Sequence, residues 1–140
     1  MNLFALAISV HVITAILGLG QIVGTAVLAS SLPQDAPVAP AALVALRRFG
    51  RGTTWSLVLM LLSGMLVEYA SGGSFHEAWW FRLSFVLLIA LGALQGRIRA
   101  VLRKVESAKD GLLLRGVVRI ALAMSAIVAV VAVLMEVKPW

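Results

Sequence analysis

The sequence predicts an all-α integral membrane four-helix bundle, and three observations lead there. Of 140 residues, 61% are hydrophobic and 13% charged, against about 45–50% and 25% in a soluble domain. The apolar residues gather into four runs, each near the roughly 20 residues a helix needs to cross hydrocarbon. The arginines and lysines gather at the ends of those runs. In water, so much apolar surface could not be hidden by a chain of this length. In a bilayer, lipid solvates it, and each helix satisfies its own backbone polar groups.

The first run, Leu3 to Leu28, is uncharged and broken only by Ser9, His11, Thr14, Gln21 and Thr25. It predicts a helix over about 3–29. No basic segment precedes it, and it exceeds the roughly 7–15 apolar residues of a signal-peptide core, so it is expected to be retained. Ser30 to Pro37, through Asp35, ends it, because prolines and short polar side chains do not continue a helix.

Helical patterning resumes at Pro40 and carries Arg47, Arg48 and Arg51. This stretch reads as a short interfacial helix before helix two, with Gly50 and Gly52 allowing a bend, or as the first turns of helix two itself. The second span is expected over 54–70, followed by a turn at Ala70–Ser74. The third, 78–104, opens on Trp79 and Trp80, residues that anchor helices at a membrane interface. It runs apolar from Leu83 to Gly96 and then basic through Arg97, Arg99, Arg103 and Lys104. A turn at Lys109-Asp110-Gly111 leads to the fourth span, 112–137, closed by Lys138-Pro139-Trp140. The whole chain, 1–140, reads as a single transmembrane domain without internal repeats.

Charge orients the bundle. Ten of the twelve Lys and Arg flank the connections over 30–53 and 105–111. Basic loops stay in the cytoplasm, so both termini and the loop around His76 are expected to be extracytoplasmic in a bacterial inner membrane. A net charge of +6 distributed at span ends suits anionic headgroups and not nucleic acid. The absence of cysteine excludes disulfides, thiolate metal sites and thiol nucleophiles. No Walker A, HExxH or GxSxG motif is present, so no catalytic residue is expected.

Small and polar residues tend to mark helix contacts in lipid. On helix one His11, Thr14, Gly18, Gln21 and Thr25 fall within an arc of about 80°, a stripe expected to face the interior. On helix three Arg82, Phe85, Ile89, Gly92 and Gly96 share a face, also expected inward. Gly20 and Gly24 point away from the polar stripe, towards another helix or a second protomer.

Depth along the helices brings His11, Met65, Glu68 and Arg82 to the same outer half of the bundle. Ionisable groups there are costly and often functional, so this is the candidate cluster. Each member also has a structural reading. His11 suits a hydrogen bond between helices, Arg82 suits snorkelling to headgroups, and Glu68 suits pairing with Arg82 or Lys138. Met65 suits packing, and His76 suits a solvated loop.

The segment His11-Val-Ile-Thr-Ala-Ile-Leu-Gly-Leu-Gly, the segment Trp80-Phe81-Arg82-Leu83-Ser84-Phe85 and the pair Ser63-Gly64 carry a resemblance. Together they resemble a group of four-helix membrane proteins that includes the copper-resistance D-like proteins and the HemJ-type protoporphyrinogen oxidases. The resemblance implies haem b held by a first-helix histidine and a third-helix lysine, positions filled here by His11 and Arg82. Arginine suits a propionate but not an iron, and Met65 is then the second axial candidate. Three functions follow as expectations: a haem-binding protein, a non-catalytic accessory subunit or lipid- or partner-binding protein, and a copper or ion handler using His11.

Overall fold

The computed structural model describes residues 2–34, 36–108 and 110–137, with side chains as far as Val133 in the last stretch. It contains helices α1 (Leu3–Ser31), α2 (Pro40–Ala70), α3 (Trp79–Ala108) and α4 (Leu114–Val137), with a 3-10 turn at Gly111–Leu113 leading into α4. All four helices are long and apolar enough to cross a membrane, and no strand occurs among the described residues. α1 and α3 each pack against both α2 and α4. Among the described residues α1 makes no close backbone contact with α3, nor α2 with α4. The helices therefore stand at the corners of a square, with α1 and α3 on one diagonal.

The separate interfacial helix expected before helix two is not there. Residues 40–70 form one uninterrupted helix of 31 residues. Gly50 and Gly52 serve close approach within it: a Cβ on Gly50 would lie 3.3 Å from the Gln95 amide, and one on Gly52 would collide with that of Gln21. α3 likewise runs to Ala108, beyond the expected end at 104. At 29–31 residues, α1 to α3 are each roughly 43–47 Å long, about 13–17 Å more than the roughly 30 Å hydrocarbon of a bilayer.

The buried apolar core lies towards the basic end. It includes Ala29 of α1, Leu46 of α2, Leu102 and Val105 of α3, and Leu114 and Val117 of α4. On α3 the buried residues are Leu91, Gln95, Ile98, Leu102 and Val105, spaced 4, 3, 4 and 3 as one packed helix face requires. This corrects the face expected from the glycines. Phe85, Ile89, Gly92 and Gly96 are exposed, as is Arg82, because the heptad line beside them makes the contacts.

The two connections at the basic end are stitched together. Carbonyl oxygens of Ala36, Pro33 and Gln34 crowd Gly111, Arg115 Nε donates to Gln34 Oε1 at 2.7 Å, and Arg47 pairs with Glu106 across α2 and α3. Asp110 caps the turn, its carboxylate accepting from Leu112 N at 2.9 Å. At the far end, α2 closes with N–H bonds from Gly72 to Tyr69 O and from Gly73 to Glu68 O. Both glycines have positive φ, 73° and 79°, which L side chains rarely adopt. The expectations for Asp35, Lys109 and Lys138-Pro139-Trp140 lie outside the described residues.

Candidate functional site

The stripe on α1 lies along α2 as an antiparallel seam. His11 meets Ser63 and Gly64, Gly18 meets Ser56, Gln21 meets Gly52, and Gly24 meets the Phe49 ring. As the α1 number climbs by seven from 11 to 18, its α2 partner falls by seven from 63 to 56. Thr14 and Thr25 are buried in the stripe, and each turns its hydroxyl back to its own helix, donating to Val10 O at 2.7 Å and Gln21 O at 2.8 Å. Gln21 Oε1 is buried with no partner among the described residues.

His11 is therefore held by its neighbours. His11 Nδ1 and Ser63 Oγ share a hydrogen bond of 2.9 Å, and Ser63 Oγ also lies 3.2 Å from Met60 O in its own helix. On the α2 side of this seam the sequence singles out Ser63 only through the resemblance and Gly52 only as a bend, and it misses Ser56. The seam's signal was a line of small residues at spacings of 4 and 7, which places them on one helical face.

The other members of the expected cluster lie elsewhere. Met65 is 60% exposed and sits about 200° round the helix from Ser63, so it points away from His11. Arg82 is on α3, diagonal to α1, and its Nε donates to the His76 carbonyl at 3.0 Å. Glu68 organises the α2–α3 loop: its carboxylate accepts from Phe75 N at 3.1 Å and His76 N at 2.9 Å, with the His76 ring 3.3 Å away. His76, expected as a solvated loop residue, thus joins Glu68 and Arg82 in a loop cluster on the other side of α2's end from the His11–Ser63 bond. Gly24 is partly covered by the Phe49 ring of α2, while Gly20 has open space around it. The two glycines do not form one free face.

Of the three residues expected around a haem, His11 is bonded in the α1–α2 seam, Met65 is exposed, and Arg82 donates to a loop carbonyl. No group of three His, Cys, Asp or Glu that could hold a metal occurs among the described residues.

A lateral groove of about 280 Å³ runs between α2 and α3. Leu57, Val58 and Leu61 of α2 face Phe85, Leu88 and Ile89 of α3 across it, with Gly92 and Gly96 beside them. Thr54, Gln95 and Arg99 lie at its basic end. Gln95 is 4% exposed, and its Nε2 donates to Gly50 O at 2.8 Å, which fixes α3 against α2 there. Comparison with protein-family models, curated proteins and solved structures finds no match to the chain.

Proposed function

We propose that the chain is a multi-pass protein of the bacterial inner membrane, with both termini and the α2–α3 loop outside. There it acts without catalysis, as an accessory or lipid- or partner-binding component. The observation that carries the non-catalytic reading is that the candidate reactive side chains are engaged in structural hydrogen bonds or point outward. His11 holds α1 to α2, Glu68 and Arg82 hold the loop, and Met65 is exposed and points away from His11. The haem reading needs His11 and Arg82 around one space, and copper handling needs more than one ligand near His11.

The membrane reading is supported by where the helices change character. The basic ends of α2, α3 and α4 come together at one end of the bundle, as positive-inside topology requires. The apolar core is tightest at that same end, where helices longer than the hydrocarbon emerge into water and burial is rewarded. Deeper in, lipid is as apolar as leucine, and contact falls to small residues and hydrogen bonds. Gly18, Ser56, Ser63 and His11 fit that rule.

An absorption spectrum of protein purified from haem-replete cells tests this reading. It is expected to show no Soret band, and metal analysis no stoichiometric copper. His11→Ala is expected to leave the spectrum unchanged while lowering stability by about 1 kcal/mol, the scale of one lost hydrogen bond. A Soret band in the wild-type protein that His11→Ala abolishes would overturn the proposal.

A further inference from the structure

We infer that the groove between α2 and α3 is a binding site for one anionic phospholipid of the leaflet at the basic end, its acyl chain lying between the helices and its headgroup held by arginines. This rests on the membrane reading above and names the ligand within it.

The groove has the shape and grading such a ligand needs. From Phe85 to Arg99 it extends about 21 Å at the helical rise, somewhat more than half of a bilayer's roughly 30 Å hydrocarbon. Its walls are aliphatic and aromatic. Gly92 and Gly96 border open space, where a Cβ on either would meet no atom within 4 Å. Polarity appears only at one end, at Thr54, Gln95 and Arg99. Thr54 Oγ1 and Gln95 Nε2 both donate to Gly50 O, which leaves the arginines to meet a headgroup.

The charge continues past the mouth of the groove. Arg103 lies one turn beyond Arg99 on the same face of α3, and Arg51 lies one turn before Thr54 on α2. Below them Arg47 is neutralised by Glu106. Arg51, Arg99 and Arg103 have no carboxylate partner among the described residues and are exposed. Cations left free around the mouth of an apolar slot complement a phosphate diester attached to an acyl chain. They suit an anionic headgroup better than a zwitterionic one, whose own ammonium they would repel.

The test is native mass spectrometry of the full chain released from bilayers of mixed phosphatidylcholine and phosphatidylglycerol. Wild-type protein is expected to retain one phosphatidylglycerol. Arg99→Gln with Arg103→Gln, both on the surface and compatible with folding, is expected to reduce the preference for phosphatidylglycerol about fivefold per arginine removed. Gly96→Leu is expected to abolish retention of either lipid by filling the groove, and Arg119→Gln on α4 to change nothing. Equal retention of both lipids, a preference unaffected by the arginine changes, or a protein dimer in place of the lipid adduct overturns the inference. A colourless protein that retains no lipid defeats this inference alone, whereas a stoichiometric chromophore defeats the non-catalytic reading beneath it.

Discussion

Gly111→Ala is expected to destabilise the bundle by about 1–3 kcal/mol, the range for forcing extra atoms into a packed site. The new methyl would lie 2.6 Å from Ala36 O, 3.0 Å from Pro33 O and 3.1 Å from Gln34 O. These are main-chain oxygens, which cannot rotate away as a side chain would, so one connection must move off the other. That movement also strains the Arg115–Gln34 bond. Gly116→Ala is the control. Its methyl would find only Val101 Cγ1 at 3.9 Å, and replacing a helical glycine there is expected to add roughly 0.5–1 kcal/mol. Thermal denaturation of both variants in mild detergent, followed by tryptophan fluorescence, should move in opposite directions. A Gly111→Ala protein as stable as wild type would show that the two connections do not meet.

The second large effect concerns the residues before the second span. Leu46 is fully buried, packed with α1, α3 and α4 residues in the core at the basic end. Leu46→Ala is therefore expected to cost about 2–5 kcal/mol, because the surroundings collapse only partly around the cavity. A helix lying flat in the interface would leave Leu46 against lipid, and its truncation would matter little. Val44, two residues away and exposed, gives the comparison: Val44→Ala is expected to change stability by less than about 0.5 kcal/mol. Equal, small effects at 44 and 46 would restore the separate interfacial helix and remove this part of the core.

The four apolar helices were legible because hydropathy over twenty residues is a strong signal, and their starts and stops carried proline, glycine and tryptophan. The α1 stripe was legible for the same reason that made it a seam: five small or polar residues at helical spacing in an otherwise aliphatic run. What failed was the use of glycine as a sign. Gly50 and Gly52 suggested a bend, yet they admit Gln95 and Gln21 inside a continuous helix. Gly92 and Gly96 suggested a packed face, yet they border a groove while Leu91, Gln95 and Ile98 beside them pack. Glycine reports space near the backbone but not whether a neighbour fills it.

The expected cluster of His11, Met65, Glu68 and Arg82 failed for a related reason. Depth along a helix is readable from residue number, whereas angle about the bundle depends on which helices are neighbours. Four residues at similar depth on three helices converge only if their side chains also face one another. His11 turns to Ser63 of α2, the exposed Arg82 turns to the His76 carbonyl, and about 200° of helix separates Met65 from Ser63.

The central claim is that lipid is the solvent for the outward-facing apolar residues. The chain contains no cysteine, so spin labels can be attached at single introduced sites in the reconstituted protein. Labels at Ile16→Cys, Leu62→Cys and Ile89→Cys, all exposed, are expected to be relaxed by oxygen and shielded from a water-soluble nickel complex. Labels at Ser74→Cys and Ser107→Cys, exposed at opposite ends, should show the reverse. A label at residue 16 that collides freely with the aqueous complex in sealed vesicles would contradict the account.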